Sequence, residues 1–264
     1  MKYFYLAFIL VLLSFCAKDL PLNQLANQPC ITYHAKHDTI VLLVMGQSNA
    51  ANAGSELFSS PCINTFNFYQ GKYYPLKDPL LGANGNGGSV WSRLGYMLIE
   101  NNFANVVIVA PVAVGGTTIE QWIPGGDLNY LIDETIGHLN AANLTVTHVL
   151  WHQGESNNSI LYPNSTPAQN AMTYASNFRL LVDHLRNLGI QSPIFPAVAT
   201  RCADLTPDVY LQQAQQNLAV DSLGVFNGPN TDILGLEYRY DECHFNGEGL
   251  DVHAILWLNS LLQY

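Results

Sequence analysis

The chain has 264 residues, of which 48% are hydrophobic and 11% are charged, and its formal net charge is −10. This length and apolar content predict one enzyme-sized domain with a full core. The negative net charge argues against nucleic acid as a partner, because binding a phosphate backbone needs a basic surface.

The first 17 residues have the pattern of a secretory signal peptide. Lys2 is followed by a short apolar run and then by small residues up to Ala17. The run is too short to span a bilayer, and no later segment has eighteen uninterrupted apolar residues. We therefore expect a signal peptide over 1–17 and a single extracellular or periplasmic domain over 18–264, without a transmembrane segment. Acylation of Cys16 as a lipoprotein anchor is disfavoured, because Phe15 is bulky where such signals need a small residue.

Four cysteines remain after the signal: Cys30, Cys62, Cys202 and Cys243. An even number in an oxidising compartment predicts two disulfides. Three connectivities are possible, and pairing Cys30 with Cys62 and Cys202 with Cys243 is favoured because each pair would tie neighbouring loops together. The alternative is four buried thiols. A metal site is not expected, because no Cys or His pair has the close spacing of zinc ligands.

Four apolar runs rich in Val and Ile predict strands at 39–45, 105–113, 147–153 and 193–199. Apolar runs without alternation are typical of strands covered on both faces, as in a parallel sheet. Helical patterns lie between and after them, at 91–102, 128–142, 167–189, 207–222 and 247–264. The alternation predicts an α/β fold with helices on both faces of the sheet. The polar segments 59–89 and 156–167 are predicted to be loops.

Polar residues follow the predicted strands, where ligands of open α/β sheets bind. Gly46-Gln47-Ser48-Asn49 follows the first strand, Gly115-Gly116 the second, and Gln153-Gly154-Glu155 the third. Before the last helix, Asp241 and His244 lie three residues apart. Together these residues could supply a nucleophile, a base, a carboxylate and amide donors for acyl transfer.

Each residue type suits one step of that chemistry. The Ser48 hydroxyl needs a base, and His244 can serve if a carboxylate such as Asp241 holds its other ring nitrogen. Donors for an oxyanion are the backbone N–H of Ser48 at the start of a following helix, an N–H of Gly115 or Gly116, and the side-chain amide of Gln153.

Four motifs, GQSN, GGTTIEQW, HQGE and DECH, occur in this order within residues 39–262. The set resembles the sialate O-acetylesterase-like branch of the SGNH hydrolases, which includes the sixth carbohydrate esterase family. The resemblance implies a flavodoxin-like α/β/α sandwich and a deacetylase without metal or cofactor, acting on acetylated sialic acids or xylan-type polysaccharides. It makes Ser48 the nucleophile, His244 the base and Asp241 its partner, with Gly116 and Gln153 at oxyanion positions.

Several alternatives stay open at this stage. Glu155 could replace Asp241 as the acid or could order a loop. Gln47, Asn49 and Trp122 are candidate substrate contacts, although Trp122 could equally belong to the core. The other histidines are expected to be surface or helix residues: His34, His37, His138, His148, His184 and His253.

The function has alternatives as well. A GDSL-like lipase, arylesterase or thioesterase could carry the same residues, and a carbohydrate-binding protein could have kept the scaffold without turnover. The α/β-hydrolase fold is disfavoured, because Ala50 occupies the last glycine position of a G-x-S-x-G elbow.

Overall fold

The computed structural model describes residues 30–32, 34–202 and 206–264. The predicted signal peptide, including Cys16, lies outside these residues. The strands are β1 (His37–Gly46), β2 (Thr65–Tyr69), β3 (Lys72–Pro75), β4 (Ala104–Ala113), β5 (His148–His152) and β6 (Ile194–Pro196). The α-helices are α1 (Val90–Glu100), α2 (Asn129–Ala141), α3 (Pro167–Asn187), α4 (Val209–Gln216) and α5 (Gly247–Gln263).

The six strands form one sheet in the order β3-β2-β4-β1-β5-β6. Every neighbouring pair is parallel except β2 and β3, which are antiparallel. In flavodoxin the first strand lies between the second and third parallel strands. Here two parallel strands, β2 and β4, lie on one side of β1, and β5 and β6 lie on the other. The immediate neighbours of β1 are β4 and β5, and both of its edges are hydrogen-bonded.

The register of the central strands explains where the site forms. Gly46, the last residue of β1, pairs with Ala113 at the end of β4 and with His152 at the end of β5. Three carboxyl ends therefore lie side by side. The polar segments that follow them emerge at the same edge of the sheet.

Both faces of the sheet are buried under helices. On β1, Ile40, Leu42 and Val44 pack in the cluster that contains α1 and α5. Val41, Leu43 and Met45 point the other way, into the cluster that contains α2, α3 and α4. Burial on both faces explains why the β1 sequence is continuously apolar. The predicted α/β/α sandwich with a mainly parallel sheet is confirmed.

The prediction of a long loop over 59–89 is wrong in part, because β2 and β3 form a hairpin there. Phe66 and Phe68 of β2 pair with Pro75 and Tyr73 of β3. The two-residue turn between the strands is Gln70-Gly71, with φ values of 47° and 76°. Both positive φ values are typical of a type I′ hairpin turn, which more often carries Asn-Gly, so the sequence signal was weak.

The other elements lie close to their predicted bounds. The largest difference is the fourth helix, predicted over 207–222, which ends at Gln216 and is followed by a short 3-10 turn at Asp221–Leu223. Both predicted disulfides are present, Cys30–Cys62 and Cys202–Cys243. In the part of the chain that the structure describes, no helix has the length and apolar content needed to cross a membrane.

Candidate active site

The segment that carries Ser48 is fixed by a close approach of two strands. Gln47 N donates to the carbonyl of His152 at 3.1 Å. Gly46 adopts a φ of 139°, and a Cβ at this position would lie 1.9 Å from that carbonyl oxygen. Only glycine fits this turn. The chain then forms a single 3-10 turn, Ser48–Ala50, instead of the predicted helix, so no helix macrodipole supports the Ser48 N–H.

Asp241 and His244 form a compact pair in the turn before α5. Asp241 Oδ2 lies 2.7 Å from His244 Nδ1, and Asp241 Oδ1 accepts from the backbone N–H of His244 at 2.6 Å and of Cys243 at 3.1 Å. Partial burial would raise the pKa of Asp241, but these hydrogen bonds hold it below its ordinary value. Glu242 adopts a left-handed φ of 66°, which lets the turn close around the carboxylate.

Cys243 connects this turn to three other parts of the molecule. Its sulfur is bonded to Cys202. Its carbonyl oxygen accepts from the buried guanidinium of Arg239 and, at 3.4 Å, from the side-chain amide of Asn49. The residue before His244 is therefore tied to the residue after Ser48.

The structure brings the segments that carry Ser48 and His244 together, but it shows no hydrogen bond between the two side chains. Besides the Asn49 contact, Tyr240 Oη donates to the carbonyl of Ala53 at 3.1 Å. Within the described residues, the Ser48 hydroxyl makes no hydrogen bond to His244, whose Nε2 lies 3.8 Å from the sulfur of Cys243. Catalytic hydrogen bonds are often long or poorly aligned without substrate.

The predicted oxyanion donors fall into two groups. The backbone N–H groups of Ser48 and Gly116 have no acceptor among the described residues. The N–H of Gly115 donates to Asn84 Oδ1 at 2.9 Å and is occupied. A Cβ on Gly115 would lie 3.3 Å from the Cβ of Ser48, so this loop passes directly beside the serine.

Gln153 is also occupied by internal contacts. Its amide nitrogen lies 3.2 Å from Gln47 Oε1, 3.0 Å from the carbonyl of Thr117 and 2.7 Å from Asn157 Oδ1. The side chain is fully buried. Its two N–H groups therefore hold the segments around Ser48 together in this structure.

The three candidate substrate contacts lie in the interior instead. Gln47 is 2% exposed, and its Oε1 also accepts from the backbone N–H of Ser156. Asn49 is 5% exposed and bonds Glu155 and Cys243. Trp122 is fully buried and donates to Thr117 Oγ1 at 3.0 Å. In this structure these side chains position loops or fill the core, and their contact with substrate stays a prediction.

Glu155 does not contact His244. Its Oε1 accepts from Asn49 Nδ2 at 2.9 Å and lies 3.3 Å from His152 Nε2. Burial alone would raise the pKa of the Glu155 carboxyl, but His152 and Asn49 hold it below its ordinary value. Of the two acids left open by the sequence, only Asp241 lies against the His244 ring.

One group of described residues places three potential metal ligands within reach of one another: Cys30, Cys62 and Glu100. The two sulfurs are bonded to each other as a disulfide. This group is therefore a poor metal site, and it contains none of the predicted site residues.

A sequence comparison decides the family. The profile of the carbohydrate esterases described as sialic acid-specific acetylesterases matches residues 38–253. The chain belongs to this family. The matched segment contains all four motifs around Ser48, Gly115, Gln153 and His244, so the family resemblance read from these motifs is confirmed. A search of curated proteins finds no match.

Several solved structures share the fold of this chain. A protein of Arabidopsis thaliana is 19% identical, with a TM-score of 0.65 over 86% of this chain and 99% of its own. NanS is 15% identical, with a TM-score of 0.60 over 88% and 98%. A catalytic mutant of an acetylxylan esterase from Geobacillus stearothermophilus is 11% identical, with a TM-score of 0.55 over 88% and 96%.

Sequence reasoning missed several residues that hold this family member's site together. Asn84 lies in a segment rich in Gly and Asn, for which the sequence predicted only a loop. Asn157 accepts from Gln153 and from the N–H of Ile119. Arg239 is a buried cation among backbone carbonyls. His148 begins β5 and is buried, contrary to the expectation of a surface or helix residue, because phenylalanines cover it.

Proposed function

We propose that this protein is a secreted carbohydrate O-acetylesterase with Ser48 as nucleophile, His244 as base and Asp241 as the carboxylate that orients the base. The observation that carries the proposal is the 2.7 Å contact between Asp241 Oδ2 and His244 Nδ1, in a turn tied to the Ser48 segment. Membership of the carbohydrate esterase family supports an ester on a sugar as the substrate. Two disulfides support an oxidising compartment.

In the proposed acylation step, Nδ1–H of His244 donates to Asp241, which leaves the lone pair of Nε2 to accept the Ser48 proton. Ser48 Oγ bonds the acetyl carbon, and the N–H groups of Ser48 and Gly116 stabilise the charge on the carbonyl oxygen. The C–O bond to the sugar then breaks. His244 returns its proton to the departing sugar oxygen, and the acetyl group remains on Ser48.

Water then hydrolyses the acetyl group on Ser48, and His244 again transfers the proton. A water molecule gives a proton to His244 while its oxygen bonds the acetyl carbon. The bond to Ser48 then breaks, the serine oxygen regains the proton from His244, and acetate leaves. In this proposal the hydrogen bond between Ser48 and His244 forms once substrate occupies the site.

The test is an acetate-release assay on O-acetylated sialic acid, acetylated xylan and an aryl acetate. Ser48→Ala should lower kcat by roughly a thousandfold or more, since the nucleophile is lost. Ser222→Ala is the matched control, because Ser222 is exposed, lies in the turn at Asp221–Leu223 and belongs to none of the four motifs. Folded wild-type protein that releases no acetate from any of these substrates would refute the proposal.

Acyl-chain preference separates the proposed activity from a lipase, arylesterase or thioesterase. An acetylesterase should hydrolyse aryl acetate at a much higher kcat/KM than aryl butyrate or longer esters. A preference for long acyl chains or thioesters would favour the other enzymes. Sugar binding that is unchanged by Ser48→Ala, without any turnover, would indicate a binding protein.

A further inference from the structure

A chain of buried polar side chains lies behind the candidate site. His152, at the end of β5, and His253, on α5, are both fully buried. His152 Nδ1 lies 3.1 Å from His253 Nε2. Trp257 Nε1, one turn further along α5, donates to the same His253 nitrogen at 3.0 Å.

The other end of this chain reaches the nucleophile segment. His152 Nε2 lies 3.3 Å from Glu155 Oε1. The same carboxylate oxygen accepts from Asn49 Nδ2 at 2.9 Å. Asn49 follows Ser48 in the sequence and also bonds the carbonyl of Cys243. The buried chain therefore ends on one of the contacts between the Ser48 segment and the His244 turn.

The direction of these hydrogen bonds fixes where the protons are. Because an indole nitrogen is only a donor, the Trp257 contact makes His253 Nε2 an acceptor. A hydrogen bond between the two imidazoles then requires the proton on His152 Nδ1, with the lone pair of His253 Nε2 shared between the two donors. If His152 were neutral, its Nε2 would present a lone pair to the ionised carboxylate of Glu155 at 3.3 Å, and both side chains are buried.

We infer that His152 carries a proton on both ring nitrogens at neutral pH and forms a buried ion pair with Glu155 that positions Asn49. An ionised carboxylate without such a partner would be costly at this depth. The catalytic consequence rests on the proposed function, in which Asn49 holds the His244 turn against the Ser48 segment. His152 and Glu155 are positioning residues, since neither contacts His244.

The charged groups around His152 and Glu155 are consistent with a proton on each ring nitrogen of His152. Burial, together with the charges on His152 and Arg239, lowers the pKa of His253 well below its ordinary value, so His253 stays neutral. Burial also lowers the pKa of Arg239, while the charges of Glu155 and Asp232 raise it. Arg239 is hydrogen-bonded to three carbonyl groups, including that of Cys243. Among the described residues, His152 is therefore the ionisable side chain in contact with the Glu155 carboxylate, beside the neutral amide of Asn49.

Nitrogen-15 NMR of histidine-labelled protein tests the protonation state directly. At pH 7.5, His152 should show two protonated ring nitrogens. His148, at the other end of β5 and also buried, should show one, since burial and the charges of His37 and Lys36 lower its pKa to about 4. The His152 signals are assigned by their loss in His152→Gln, or by through-space contacts to His253 if that variant does not fold. A single ring N–H on His152 would overturn the inference.

The Glu155→Gln variant supplies the second readout. Without the carboxylate, His152 should lose one ring proton at pH 7.5, whereas the His148 signal should not change. Retention of both protons in folded Glu155→Gln would contradict the pairing. These spectra need no substrate, so their failure is distinct from a failure of acetate release.

Kinetics test the positioning role separately. In the acetate assay, His152→Gln should lower kcat by roughly tenfold or more with little change in KM, because a buried charge-assisted contact is lost but no substrate contact is. The matched control is His138→Gln, since His138 is exposed on α2. A change in KM alone, or no change in kcat, would contradict the role.

Discussion

Asn49 and Cys243 are 194 residues apart in the sequence, and the side-chain amide of Asn49 lies 3.4 Å from the carbonyl oxygen of Cys243. This contact joins the residue after the candidate nucleophile to the residue before the candidate base. The same amide donates to Glu155 at 2.9 Å. The geometry of the site therefore depends on a buried amide that sequence reasoning placed in contact with substrate.

The two acids are predicted to respond differently to loss of charge. Asp241→Asn should lower kcat by roughly a hundredfold or more, because the amide cannot hold the His244 ring in the required tautomer. Glu155→Gln should cost less, because Glu155 acts on Asn49 and not on His244. Steady-state kinetics on aryl acetate measures both. A larger loss for Glu155→Gln would move the orienting role to Glu155.

The two disulfides close loops of similar length, with sequence separations of 32 and 41 residues. Removing either pair should lower the free energy of unfolding by a similar amount, about 4 kcal/mol by chain entropy. Only the pair at Cys202 and Cys243 adjoins His244, so only its replacement by alanines should also lower kcat. The control is the alanine double variant at Cys30 and Cys62. Equal kcat values in both variants would show that the cross-link does not position the base.

Acid destabilisation should depend on His148. Burial lowers its pKa to about 4, so the folded state favours the neutral ring. The stabilising contribution is complete above the unfolded pKa of about 6.5 and is lost as the pH falls toward 4. Between pH 7 and pH 5 the loss amounts to about 2 kcal/mol.

The His148→Leu variant cannot take up this proton. Urea unfolding at pH 7 and pH 5 should therefore show a smaller fall in the free energy of unfolding for His148→Leu than for wild type. The remaining fall includes the contribution of buried His253, whose pKa is also lowered. An identical pH dependence in the two proteins would show that His148 is protonated without penalty.

The sequence predicts those parts of the fold and site that depend on neighbouring residues. The apolar runs identify β1, β4, β5 and β6, and the three-residue spacing of Asp241 and His244 indicates their contact. The β2–β3 hairpin was missed because Gln70-Gly71 is an uncommon turn pair.

Local sequence patterns could not predict which polar side chains of the site are buried. The sequence around Gln47 and Asn49 gives no sign that Gln153 and Glu155, both 106 residues away, bind their side chains. The pairing of His152 with His253 likewise joins β5 to α5 across 101 residues. Such contacts depend on how the sheet and helices pack.

The central claim is that Ser48 is the nucleophile activated by His244, and a fluorophosphonate label tests it most directly. After incubation and digestion, tandem mass spectrometry should locate the covalent adduct on Ser48 in wild-type protein. His244→Ala should slow this labelling by at least about a hundredfold, because the base that activates the hydroxyl is lost. An adduct on another residue, or unchanged labelling in His244→Ala, would contradict the account.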